Sequence, residues 1–260
     1  MISIIIPVLN EADSIGTLLS HLVANMTSKK HCEIIVVDGG STDGTTDIIS
    51  AIISKNSSEQ SETLSCEALK DGSETKVRNQ NLKQTELQLI TSEKGRAKQM
   101  NQGAKQAKGD ILYFLHADSF PPKGFDQLII DEVKAGHEAG CFRMAFNSTH
   151  WWLQLAGWFT QFSWRACRGG DQSQFITASL FNAIGGYDEN YTIYEDNMLI
   201  NALYERNTFV VINKKLTTSA RRYQKHGVWT LQYHFWAIYI KKYFGASADD
   251  LLRYYKKHIC

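Results

Sequence analysis

Four polar clusters stand out by residue type and spacing: Asn10-Glu11, Asp38, Arg96 and His116-Ala117-Asp118. A carboxylate such as Asp118 can ligate a divalent cation, and a guanidinium such as Arg96 can grip phosphate. Together they have the composition of a site for a charged, hydrogen-bonding ligand. Each also has a structural reading. Asp38 and Asp43 suit turns and helix caps, and a lone His-x-Asp is commonly a hydrogen-bonded pair. Arg96 begins a predicted helix, where the dipole disfavours a cation, which tilts it towards a ligand. Glu195-Asp196 begins another helix, marked by Met198, Leu199, Ala202 and Leu203. Acids in a first turn are ordinary dipole partners, stabilising by roughly 0.3–1 kcal/mol each.

The elements that must gather these residues follow from hydrophobic period. Ile2 to Pro7 reads as a strand, and Ile15, Leu18, Leu19, Leu22, Val23 and Met26 form one face of a helix that Asp13 or Ser14 can cap. Glu33 to Asp38 is a second strand, followed by a helix carrying Ile48, Ile49, Ile52 and Ile53. A polar stretch at about 55–86 has too few apolar residues to offset its ordering entropy and reads as a surface insertion. Strands at Leu87–Thr91 and Ile111–Leu115 and helices at Gly95–Lys108 and Phe125–Ala135 complete the alternation. This predicts an α/β fold, a mostly parallel sheet with helices on both faces. Ligands of such sheets bind beyond the carboxyl ends of the strands, which is where Asn10-Glu11, Asp38 and His116-Ala117-Asp118 fall.

The remainder reads as a mixed α+β half. It holds a strand near Cys141–Phe146, an aromatic helix over Trp151–Trp164, a turn at Gly169-Gly170-Asp171, and helices around Ser179, Asp196 and Trp229. No linker separates two domains, so residues 1–260 are expected to form one, with a ligand-binding half (1–118), a second half (119–220) and a helical tail (221–260).

Composition excludes several classes. Lys plus Arg total 28 against 27 Asp plus Glu, so no global charge points to nucleic acid. The tail from Arg221 to Cys260 carries eight Lys/Arg against Asp249 and Asp250, a net of about +6. With its aromatic residues this tail could lie on a membrane surface. Cys32, Cys66, Cys141, Cys167 and Cys260 are odd in number and scattered, which argues against a disulfide framework or a zinc site and suits a reducing cytoplasm. No signal peptide is expected at Met1-Ile2-Ser3-Ile4, and the longest apolar stretches fall short of the ~20 residues that span a bilayer.

Ser3-Ile4-Ile5-Ile6-Pro7-Val8-Leu9-Asn10-Glu11 and Ile34-Ile35-Val36-Val37-Asp38-Gly39-Gly40-Ser41-Thr42-Asp43-Gly44-Thr45 resemble the opening of family 2 glycosyltransferases with the GT-A fold. The likeness continues through Gly95-Arg96-Ala97, Asn101-Gln102-Gly103-Ala104 and His116-Ala117-Asp118. It implies an inverting transfer of sugar from a nucleoside-diphosphate sugar, a UDP-sugar being favoured, to an acceptor hydroxyl. Pro7, Asn10, Glu11, Asp38, Arg96, His116 and Ala117 would bind the nucleotide sugar, and Asp118 with His116 would hold Mn2+ or Mg2+. The family's usual Asp-x-Asp has His116 in its first place, which leaves the ion's identity open.

By the same resemblance, Gly170-Asp171-Gln172, Gly185-Gly186-Tyr187 and Glu195-Asp196 look like the acceptor loop, glycine turn and acidic pair. Asp196 would serve as general base, with Glu195 and Asp171 beside it, and Gln172 would serve the acceptor or diphosphate. Arg221, Arg222, Tyr223 and His226 could stabilise the departing diphosphate, or form a solvated basic turn. The Gln-x-x-Arg-Trp motif of processive synthases is absent, favouring single transfer. The short chain also resembles a small bacterial subgroup linked to arsenosugar biosynthesis, while a glycan or lipid acceptor fits equally.

Two alternatives stand beside this reading. A sugar nucleotidyltransferase usually has a Gly-rich, basic loop after strand one, where Val8-Leu9-Asn10-Glu11 stands here. A nucleotide-sugar-binding protein without catalysis is kept open by His116. A dinucleotide oxidoreductase is disfavoured because no G-x-G-x-x-G follows strand one.

Overall fold

The computed structural model describes residues 1–28, 31–55, 85–169, 172–206 and 208–259. The polar stretch read as an insertion falls almost wholly outside the described residues, as do Gly170 and Asp171.

The strands β1 (Ile2–Val8), β2 (Cys32–Asp38), β3 (Glu86–Thr91) and β4 (Ile111–Phe114) pair in parallel in the order β3-β2-β1-β4. Period-two alternation on β1 divides its side chains between two cores. Ile2, Ile4, Ile6 and Val8 meet Ile15, Leu18 and Leu22 of α1 (Ala12–Asn25) and Phe125 and Ile129 of α4 (Phe125–Lys134). Ile5, with Ile35 and Val37 of β2, meets Ala97 and Met100 of α3 (Arg96–Gln106) on the other face. Gly103 permits that close approach, since a Cβ there would lie 2.5 Å from Ile5. Helix α2 occupies residues 45–55.

The capping of α1 differs from the sequence expectation. Neither Asp13 nor Ser14 caps α1; both lie inside its first turn, and the cap position is Glu11, which makes no side-chain cap bond. The loop after β2 satisfies this turn instead. Ser41 Oγ accepts from the Asn10 N–H at 2.9 Å, Thr45 Oγ1 from Glu11 at 2.9 Å and Asp43 from Ala12 at 3.1 Å. A capping partner some thirty residues away is invisible to a local motif.

Four of the seven strand pairs among the described residues are parallel, and the sheet turns mixed in the second half, as the sequence predicts. Beyond β4 it continues through β7 (Gln174–Thr177), β6 (Ala139–Phe146), β8 (Phe209–Thr218) and β5 (Ser119–Phe120), for eight strands in one sheet. The β4–β7, β6–β7 and β5–β8 pairs are antiparallel. Helices α6 (Ala178–Ile184) and α7 (Glu195–Tyr204) place Leu180, Phe181, Leu199 and Leu203 in the second core. The aromatic helix α5 spans Trp151–Phe159, shorter than the apolar run, and Thr160 at its end donates its hydroxyl to Gly157 O at 2.6 Å.

Three helices close the chain: α8 (Arg221–His226), α9 (Val228–Tyr243) and α10 (Ala248–His258). Leu231, Ile238, Leu251 and Ile259 form their own small core, and Ser247 with Asp250 makes a capping box at the start of α10. Among the described residues no helix is long and apolar enough to cross a membrane.

Candidate functional site

The ends of β1 and β2 are tied together by Gln99 of α3, whose buried amide donates to Val8 O and Val37 O, both at 2.8 Å. Gly39 follows directly, and a Cβ there would meet the Gln99 amide at 3.0 Å. Asp38 is buried, and its carboxylate accepts from the Gly40 and Ser41 amides at 2.9 and 3.1 Å, closing the turn that begins there. Asn10 adopts φ 57°, a left-handed conformation that Asn tolerates better than most residues, and its Oδ1 accepts from the Thr42 N–H at 2.8 Å. The loops after β1 and β2 are therefore one hydrogen-bonded unit.

A cation bridges this unit to β4. The short strand β5 pairs Ser119 with Thr218 and Phe120 with Thr217, which brings the end of β8 and the start of α8 beside Asp118. Arg221 Nη2 reaches Glu11 Oε1 at 2.5 Å and Arg221 Nε lies 3.5 Å from Asp118 Oδ2. Glu11 raises the Arg221 pKa further, chiefly through this hydrogen bond. The Ala117 side chain belongs to the first core, so only its backbone could serve a ligand.

A second arginine cluster lies at the start of α7. Arg96 Nε donates to Glu195 Oε1, and Arg96 Nη2 lies 3.4 Å from Asp196 Oδ2. Glu195 is fully buried, and its Oε2 has no hydrogen-bond partner among the described residues. Burial pushes the Glu195 carboxyl above its ordinary value against the pull of Arg96, and the neighbouring Asp196 pushes it the same way. The turn before α7 is held by Asn101 of α3, whose side chain accepts from Tyr187 N–H and donates to Tyr187 O, both at 2.9 Å.

Asp196 stands where two cavities meet. One is a tight crevice of about 10 Å³, room for about one water, lined by Pro7, His116, Ser173, Tyr187 and Asp196 at the ends of β1 and β4. The other, of about 850 Å³, is walled by aromatic residues of α5 and α9 and also receives Arg96, Arg165 and Arg222. The sequence-predicted residues thus fall into groups. Pro7, His116 and Asp196 share the crevice; Glu11, Asp118 and Arg221 form one ionic cluster; Arg96, Glu195 and Asp196 form the other. Asp38 lines neither cavity.

Adjacent residues of α8 serve different compartments. Arg221 faces Glu11 and Asp118, whereas Arg222 bonds the Tyr255 hydroxyl and, with Tyr223, lines the large cavity. His226, at the last turn of α8, lines neither cavity. Gln172 lines the large cavity, but its amide accepts from Arg168 Nη1 at 2.8 Å and donates to Cys167 O at 2.7 Å.

Gln99, Arg165 and Arg168 escaped the sequence reading, and Asn101 entered it only within the Asn101-Gln102-Gly103-Ala104 run, without a role. Arg168 is buried and its guanidinium donates to Thr160 O, Phe162 O, Gln172 Oε1 and Cys141 Sγ, so it shapes the loop that precedes the Gly-Asp-Gln run. A glutamine or asparagine on the inner face of a predicted helix was the available signal for Gln99 and Asn101, since buried amides require partners.

Among the described residues no group of three or more His, Cys, Asp and Glu side chains converges to hold a metal. The donor set still fits a cation shared with a ligand. Two carboxylates, Glu11 and Asp118, converge on one charge, and Mg2+ or Mn2+ usually takes only one or two carboxylates when phosphate oxygens and water complete the shell.

The glycosyl transferase family 2 model matches residues 3–62 and 68–187. The match ends before Glu195, Asp196 and α9. No curated protein matches the chain. Among solved structures, S. aureus TarS 1-349 in complex with UDP-GlcNAc matches with a TM-score of 0.61 and 18% identity, covering 84% of this chain and 58% of that one. The mannosyltransferase PcManGT from Pyrobaculum calidifontis, in complex with GDP-Man and Mn2+, matches with a TM-score of 0.58 and 18% identity, covering 98% and 63%. The chain therefore spans about three fifths of the length of these proteins, and the likeness is one of fold.

Proposed function

This chain belongs to glycosyl transferase family 2, and on that premise we propose that it transfers a sugar from a nucleoside-diphosphate sugar to an acceptor hydroxyl with inversion, Asp196 acting as general base. The carrying observation is the position of Asp196 between the crevice at the ends of β1 and β4 and the large cavity beyond. A base for this reaction must face donor and acceptor at once; Asp196 borders the large cavity and stands beside Pro7 and His116 at the strand ends from which the loop assigned to the nucleotide leaves.

The nucleotide is assigned to the loops after β1 and β2, with Asn10, Glu11 and the Asp38 turn around it, and UDP is the favoured diphosphate. The acceptor hydroxyl enters from the large cavity and gives its proton to Asp196. Its oxygen forms a bond to the anomeric carbon while the bond to the diphosphate breaks, the electron pair leaving with the nucleotide. Arg96 holds Asp196 and Glu195 in place, and its third-exposed guanidinium also lines the cavity. Asp118, with His116 near it, would hold a divalent cation that supplies positive charge for the leaving diphosphate. Arg221 would release Glu11 and Asp118 to that purpose. The kinship with the arsenosugar subgroup rests on short motifs alone, and the aromatic walls of the cavity favour a less polar acceptor.

A thermal-shift screen of UDP, GDP and dTDP with and without Mn2+ tests donor and cation together, because a ligand of the folded state stabilises it by mass action. Stabilisation by UDP only with Mn2+ is expected. Turnover is read on a panel of nucleotide sugars: Asp196→Asn should keep the nucleotide shift and lose nucleotide release. An Asp196→Asn protein that turns over like wild type would remove the proposed base, and binding without turnover in wild type would favour the non-catalytic alternative.

A further inference from the structure

Twelve of the thirteen exposed large hydrophobic side chains among the described residues lie in residues 151–164 and 229–244, on and beside α5 and α9. Tyr243 is 86% exposed and Phe244 80%. All six tryptophans of the chain are in these two segments. Residues 147–169 and 219–248 contain seven Arg/Lys and no Asp or Glu; with Arg168 buried and Arg221 paired to Glu11 and Asp118, Arg165, Arg222, Lys225, Lys241 and Lys242 supply the charge of this face. Such a concentration exceeds the scattered apolar residues of an ordinary surface and marks an interaction face.

The face is continuous with the large cavity. Leu155, Phe159, Trp236, Tyr239 and Ile240 are exposed and line the cavity as well. Arg165 and Arg222 line the same cavity and supply positive charge, and the buried Asp196 borders it. An occupant matching this lining combines an apolar part, an anionic group for the arginines and a hydroxyl for Asp196.

We propose that the α5–α9 face docks on an anionic lipid surface, and that the cavity takes the headgroup of an anionic amphiphile from it, which makes the acceptor a lipid hydroxyl. Trp and Tyr favour the membrane interface, and clustered Lys and Arg favour anionic lipid. With no spanning helix among the described residues, the contact is peripheral. The assignment of the acceptor rests on the transfer reaction proposed above, whereas the docking does not. For the transfer, the lipid oxygen bonds the anomeric carbon, its proton passes to Asp196 and the nucleoside diphosphate leaves with the electron pair.

Because every tryptophan reports this face, vesicles of chain-brominated phosphatidylglycerol should quench the intrinsic fluorescence of the full chain, and brominated phosphatidylcholine should require about tenfold more lipid. The variant Trp158→Ser/Tyr243→Ser/Phe244→Ser removes side chains outside the cavity lining. It should lose the quenching while keeping the wild-type Tm and the wild-type shift with UDP and Mn2+. Dodecyl phosphate below its micelle concentration, the cavity probe, should raise Tm more than inorganic phosphate does, and Arg222→Gln should remove the difference.

Unquenched emission from a protein that still responds to UDP overturns the docking and leaves the transferase reading standing. A dimer that the triple variant returns to monomer overturns it too, since the face would then cover a second copy. Equal effects of dodecyl and inorganic phosphate overturn the amphiphile in the cavity. Loss of the UDP response with quenching intact would instead strike the transferase reading.

Discussion

Two arginines in this molecule each hold two carboxylates, and the clusters differ in how much water reaches them. Arg96 binds Glu195, with no exposed side-chain surface, and Asp196, 9% exposed; Arg221 binds Glu11, 18% exposed, and Asp118, 23% exposed. The same three charges therefore carry different consequences. In the buried cluster a lost cation leaves Glu195 charged in a poor solvent, so the arginine is structural as well as functional. In the wetter cluster water can replace the cation, so the arginine can move and its carboxylates can take another ion. The first geometry suits a fixed base, and the second suits a site that exchanges partners during a cycle.

The largest expected effect concerns the residue that joins the buried cluster to both cavities. Asp196→Asn keeps the shape of α7 and should lower nucleotide-sugar turnover by about 10²–10⁴-fold, a range read from steady-state rates across the donor panel. A small effect would mean that Glu195 or Asp171 is the base.

Next comes Arg96→Ala, expected to cost about 3 kcal/mol by urea unfolding, the low end for breaking a buried pair because the guanidinium is partly exposed. Adding Glu195→Gln to that variant should restore part of the loss, since it removes the uncompensated charge, and a double-mutant cycle measures the coupling. Additive costs would contradict the contrast between the clusters.

Glu195→Gln by itself should change the pH dependence. The folded state holds the Glu195 proton more tightly than the unfolded chain does, so its contribution is fully present below the ordinary value of 4.5 and is lost as pH rises through the folded pKa. Wild-type Tm should therefore decline more than that of the variant as pH rises from there towards neutrality. Parallel curves would show that Arg96 cancels the cost of burial.

The smallest effect belongs to the wetter cluster. Arg221→Gln should change stability by no more than about 1 kcal/mol, as expected for half-solvated pairs. It should leave the Mn2+-dependent shift with UDP present or enlarged, because Glu11 and Asp118 are then released. Loss of that shift would place Arg221 on the diphosphate itself and not on the carboxylates.

Much of the first half was legible in sequence. The β-branched runs at Ile2–Val8 and Cys32–Asp38 and the apolar face of α1 specify parallel strands and a covering helix through local period alone. The polar residues at those strand ends follow from the same pattern, because topology puts strand termini on one edge. The family membership also rests on this half and on residues through Tyr187. The second half was legible only in pieces: its mixed character, β6, α6, α7 and the existence of α5 and α9 were foreseen, while β5, β7 and β8 were not.

What sequence could not decide is which distant groups become neighbours. Arg221 lies on Glu11 across 210 positions only because the two-residue strand β5 pins the end of β8, and α1 is capped from the next loop through Ser41, Asp43 and Thr45. Arg221 and Arg222 look alike as a basic pair yet enter separate compartments. The residue sequence determined the periods, the strand ends and the charges available; the tertiary structure decided the pairing and the solvent each charge sees. Local period is encoded by residues a turn or two apart, whereas a charge's partner and its dielectric are set by whatever the whole chain folds against it.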